Sequence, residues 1–145
     1  MVEERRTDDR VAIGALHSRY IRLVDANRAS ELGELFTQDG VLDSKVMGRR
    51  CSGRAEIVDY IGGLRSWAKV TIHASPADIE FVDSSQAGSR SYFTVLTKSG
   101  LDHWGAYSDE LVLKEGTWLF RSRVIELLGT ASERWLGSPG ANKSA

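Results

Sequence analysis

The stretch HWGAYSDELVLKEGTWLFRSRVIELL, His103 to Leu128, reads as two long β-strands, His103 to Leu113 and Thr117 to Leu128, folded back at Lys114-Glu115-Gly116. It is rich in aromatic and branched residues and breaks only where a glycine-containing turn is written. Two further strands precede it, Ala77 to Val82 and Ser89 to Thr97, set apart by Asp83-Ser84-Ser85 and Lys98-Ser99-Gly100. The second half of the chain is therefore expected to be a sheet of three or four antiparallel strands joined by hairpins.

The first half is written at helical period. From Asp8 or Asp9 to about Asn27, the apolar residues Ile13, Leu16, Tyr20, Leu23 and Val24 share one arc, and Arg10, Arg19 and Arg22 lie largely outside it. Ser30 looks like the N-cap of a short second helix that ends before the turn Gln38-Asp39-Gly40. Val41-Leu42-Asp43 reads as a short strand, and a third helix runs from Arg54 to about Arg65 with Ile57, Tyr60, Ile61 and Leu64 inward. Helices followed by hairpins predict an α+β fold, in which the long helix crosses a curved sheet and leaves a cone open at one end. Residues 8–128 form the expected domain, with residues 1–7 a disordered N-terminus. Residues 129–145 form a small, polar tail in which Trp135 and Leu136 are placed to dock as a lid or at a subunit contact.

A length of 145 residues with 41% hydrophobic content suits one globular domain with room for a small pocket. A net charge of -1 gives no pull toward nucleic acid or an anionic membrane. The charged opening Met1-Val2-Glu3-Glu4-Arg5-Arg6 has no apolar segment behind it, and no later stretch has the length of a membrane span. A cytoplasmic protein is expected. The single cysteine, Cys51, reads as a loop thiol without a role.

Chemistry is suggested by Tyr20 and Asp25 on the first helix and His73 in Thr71-Ile72-His73. A carboxylate that holds one imidazole nitrogen leaves the other as a base near neutral pH, sufficient to take a proton from carbon. Asp25 shares a helical stripe with Gly14, Ser18 and Ile21, small enough to leave space beside a pocket; its bland alternative is a carboxylate bonded to nearby backbone. His73 would otherwise be a strand histidine satisfied in the core, and Tyr20 a plain core aromatic in place of a neutral phenol donor. Arg123 either holds a departing anion or pairs with Glu126 or Asp109. Trp67, Phe93, Ile125 and Leu127 are candidate apolar walls, and His17 is expected to pack at the sheet edge. His73, His103 and Asp25 also compose a conceivable iron or zinc triad, but no histidine pair has compact ligand spacing and no phosphate-binding loop is present. No metal or cofactor is expected.

Val11 to Leu128 resembles the NTF2-like superfamily, and within it the SnoaL-like group containing scytalone dehydratase, bile acid 7-alpha-dehydratase and hexachlorocyclohexane dehydrochlorinase. The resemblance is carried by Tyr20-x4-Asp25, Leu35-Phe36-Thr37-Gln38-Asp39-Gly40, His73, Gly105-Ala106-Tyr107 and Gly116-Thr117-Trp118-Leu119-Phe120-Arg121-Ser122-Arg123. It implies a cone fold and a lyase in which Asp25 and His73 form the catalytic pair. Arg123 occupies the place of an arginine five residues beyond the tryptophan. Tyr107 is implied as a cavity-facing donor, and His103 stands in for a second polar residue on the later strands, although imperfectly placed. The expected substrate is a largely apolar cyclic, polyketide-like or steroid-like molecule undergoing elimination, with isomerisation, cyclisation or non-catalytic binding as alternatives. The outer sheet face, with Trp104 and Trp118, suits a homodimer or homotrimer.

Overall fold

A computed structural model describes residues 2–64 and 69–138, with side chains from residue 6 onward. The order is α1 (Val2–Asp25), α2 (Ala29–Gly33), β1 (Phe36–Ser44), β2 (Arg49–Ser52), α3 (Arg54–Leu64), β3 (Thr71–Ala74), β4 (Asp78–Phe81), β5 (Gln86–Thr97), β6 (Gly100–Lys114) and β7 (Thr117–Thr130). The strands form one sheet in the order β2-β1-β7-β6-β5-β3, with β4 also paired to β5. The hairpins β5–β6 and β6–β7 are antiparallel as expected, whereas β1 runs parallel to β7.

The apolar arc of α1 is the core face: Ile13, Leu16, Tyr20 and Leu23 are buried. The helix begins at Val2 and not at Asp8, so the expected disordered N-terminus is largely helical. The Arg6 guanidinium lies 4.1 Å from the centre of the Phe81 ring, giving this first part of the helix a partner on the sheet. Asn27, at φ 55°, ends α1, and Arg28 N–H donates to Leu23 O at 3.0 Å in the manner of a left-handed helix cap.

Several boundaries differ from the sequence reading. Helix α2 starts at Ala29 with Arg28 before it and no side-chain cap, so Ser30 lies inside the helix. Strand β1 begins at Phe36, ahead of the expected Val41, because Phe120 N–H donates to Leu35 O and Phe36 pairs with Phe120. Strand β2 was not anticipated; it pairs Cys51 with Leu42 and buries the thiol completely. Burial raises the Cys51 pKa, which makes it a core side chain and not an exposed loop thiol. Trp118, expected on the outer face, is also buried and donates from Nε1 to Asp9 Oδ1 at 2.9 Å. Trp104 is half-buried, its ring covering Gly129 where a Cβ would collide with it. No helix among the described residues is long and apolar enough to cross a membrane.

Candidate active site

An apolar cavity of about 120 Å³ lies between α1, α3 and the inner sheet face. Tyr20 and Val24 reach it from α1, Tyr60 and Leu64 from α3, Ile72 and Val95 from β3 and β5, and His103, Tyr107 and Ile125 from β6 and β7. Leu136 covers it from the C-terminal side. A space of this size takes about one small ring, comparable to cavities that hold benzene.

The polar groups in this wall are few. His103 is 7% exposed, and its Nδ1 lies 2.7 Å from Asp102 Oδ2. Adjacent strand residues ordinarily point to opposite faces. Here the β5–β6 ladder shifts between Val95 and Leu96, leaving Asp102 as the extra residue between His103 and Leu101, and such a bulge turns consecutive side chains toward each other. The Asp102 carboxylate also accepts the Leu136 N–H at 3.2 Å, while the Trp135 ring stands edge-on to His103 at 5.2 Å. With Nδ1 engaged, Nε2 is the nitrogen left for a ligand; it makes no hydrogen bond to a described residue.

Tyr20 and Tyr107 are both buried, and desolvation pushes Tyr20 up to about 12 and raises Tyr107 as well. Both are neutral phenols at physiological pH and hence hydrogen-bond donors. Behind them is a closed polar network. Arg123 Nε donates to Asp109 Oδ1 at 2.7 Å, and Nη2 lies 3.0 Å from Asp109 Oδ2 and 2.8 Å from His17 Nδ1. Because arginine has only donors, His17 Nδ1 is the acceptor and the proton sits on Nε2, 3.1 Å from Ser89 Oγ; Ser89 in turn donates to Asp109 Oδ2 at 3.0 Å. Burial first, and then the Arg123 charge, lower the His17 pKa to about 4, so it is neutral. The guanidinium carbon lies 4.3 Å from the Tyr20 ring centre and 3.9 Å from that of Tyr107.

Asp25 and His73 are both exposed, and among the described residues no hydrogen bond or ion pair joins them. The expected pair is not assembled, for a reason of parity. Ile72 lies opposite the inward Val95, so His73, opposite the exposed Thr94, turns away from the cavity. Asp25 is the last residue of α1, one beyond the inward Val24. Tyr20, Tyr107, Phe93, Ile125 and His103 do line the cavity. Arg123 does not; it makes the ion pair with Asp109 that was its alternative. Leu127 is 36% exposed and outside the cavity; it lies opposite Gly105, where the Phe93 ring occupies the space a Cβ would take. Trp67 lies outside the described residues. His17, expected at a sheet edge, is buried in the polar network. Sequence reasoning missed Asp102: the pair Asp102-His103 is visible in the chain, but strand alternation argues for separating the two side chains. No group of three or more His, Cys, Asp or Glu among the described residues is placed to hold a metal ion, and the conceivable triad is scattered.

Residues 5–124 match the SnoaL-like domain family. No curated protein matches the chain in sequence. Among solved structures the chain is similar to LinA, with TM-score 0.80 and 18% identity over 89% of this chain and 92% of that one. It is equally similar to a Novosphingobium aromaticivorans protein described as a candidate scytalone dehydratase, with TM-score 0.80 and 21% identity over 97% and 99%. A third, an NTF2-like protein with a cystatin-like fold from the same organism, gives TM-score 0.79 and 25% identity over 90% and 89%. The cone is thus an NTF2-like fold.

Proposed function

Because the chain belongs to the SnoaL-like family, whose superfamily includes dehydratases and isomerases, we propose that it is a cofactor-independent lyase acting on a small apolar ring compound, with His103 as its base. One observation carries the reading: an imidazole held by a carboxylate at 2.7 Å in the wall of an apolar cavity that is also lined by two neutral phenols.

Asp102 fixes the tautomer with the proton on Nδ1, so Nε2 receives a proton from a ligand carbon activated by a neighbouring carbonyl or aromatic system. The electron pair of the broken C–H bond forms the new double bond and expels the leaving group on the adjacent carbon. Tyr20 or Tyr107 donates a hydrogen bond to the carbonyl oxygen or to the departing oxygen or halide. In a dehydration the proton taken by His103 leaves with the hydroxyl as water, and the protein is unchanged. The apolar lining strengthens these polar contacts. The same equipment moves a double bond if His103 returns the proton to a different carbon, so isomerisation is the second reading. The volume favours a one-ring substrate over a steroid-like one, which would have to displace the Leu136 segment.

The test is solvent-deuterium exchange into hydroxylated, ketonic and halogenated cyclic compounds, followed by NMR, with elimination products scored in the same samples. Wild type is expected to exchange or eliminate with at least one class, and His103→Ala to lose 10²-fold or more of that rate, the usual contribution of a general base. Equal rates in the two proteins, or activity abolished instead by His73→Ala, would reject the assignment.

A further inference from the structure

A second cleft, with a volume of about 700 Å³, lies between α1 and the connection from β3 to β4 and reaches His17, Tyr107 and Arg123. We propose that it binds an amphiphilic organic anion, a medium-chain carboxylate, whose chain lies along α1 and whose head group meets Arg22. This site is separate from the reaction proposed above and does not depend on it.

The helix face over the cleft is emptied by its sequence. A Cβ built at Gly14 meets no atom within 4 Å, so this glycine gains no packing to set against its cost of about 1 kcal/mol relative to alanine in a helix interior. Ser18 follows one turn later, and Ile21 and Pro76 supply apolar surface on the two sides. From Gly14 to Arg22 the helix rises about 12 Å, which makes the cleft a trough suited to an extended chain. Its volume lies within the usual range for small-molecule sites, about 300–1,000 Å³.

The charge is one-sided. Arg10, Arg22 and Arg123 line the cleft and no carboxylate does among the described residues. Arg123 is neutralised by Asp109, and Arg10 is engaged, with Nη1 3.4 Å from Ile79 O and its guanidinium 5.1 Å from the Phe81 ring centre. Arg22 makes no ion pair or side-chain hydrogen bond with a described residue, which leaves it to receive the anion. Arg123 and Tyr107 line its inner side and add no competing negative charge. Tyr107 lines both spaces.

The experiment titrates the full chain with sodium octanoate by calorimetry and by amide chemical shifts, with 1-octanol as the uncharged control. Saturable octanoate binding is expected, with shifts centred on residues 14–22 and 74–79. Octanol should bind at least tenfold more weakly. Arg22→Ala should weaken octanoate by tenfold or more, and Gly14→Leu, whose Cβ meets no atom within 4 Å, should abolish binding while leaving the melting temperature at or above that of wild type. Ser18→Leu serves the same purpose should Gly14→Leu fold poorly, and His103→Ala should bind octanoate as wild type does. The proposal is overturned if no saturable binding occurs, if both filled variants bind as tightly as wild type, if octanol matches octanoate, or if His103→Ala abolishes binding and so places the ligand in the cone.

Discussion

At the scale of single residues, the buried polar groups divide into one histidine that is available and one that is not. His103 has a carboxylate on one nitrogen and the cavity before the other; His17 has both nitrogens occupied and is neutral between Arg123 and Ser89. The depressed His17 pKa has a stability consequence. An unfolded chain takes up its proton near pH 6.5, whereas the folded protein resists until about pH 4, so protonation favours unfolding across that interval. Stability is therefore expected to fall as pH drops from 6.5 toward 4, by no more than about 3 kcal/mol from this group. Urea melts of wild type and His17→Gln at a series of pH values measure the difference. The variant starts less stable at pH 7, and its deficit should narrow as the pH falls; a constant gap would mean that His17 is not the titrating group.

At the scale of elements, the two hairpins and the amphipathic helix were legible because each is specified locally, by period and by turn residues. Strand β1 was only partly legible: its first residues become a strand through the β7 neighbour, and the extended run Phe36–Ser44 looks unremarkable without that partner. Trp135 and Leu136 after β7 are expected to dock as a lid or at a subunit contact, and the carboxylate that orients His103 also accepts the Leu136 N–H. Asp102→Ala is expected to raise hydrogen exchange at the Leu136 amide by tenfold or more, while β5 and β6 amides keep their protection. Unchanged exchange at Leu136 in that variant would separate the lid from the base.

At the scale of the whole molecule, the sheet wraps α1 and leaves a dry space on one side of the helix and a cationic trough on the other. The outer sheet surface still carries exposed apolar side chains, with Tyr92 57% and Leu128 52% exposed, and we expect a second copy to cover them. Sedimentation should give a species of twice the 16.0 kDa chain, and Tyr92→Glu should return it to one chain without lowering the melting temperature. A wild-type monomer at high concentration would count against that surface as an interface. The sequence by itself determined the α+β class, the core face of α1 and the hairpin turns, because these follow from side-chain spacing along the chain. Only the tertiary structure decided which imidazole meets which carboxylate. That choice depends on strand pairing and on a bulge: the pairing of Ile72 with Val95 turns His73 outward, and the ladder shift at Asp102 brings two adjacent side chains together.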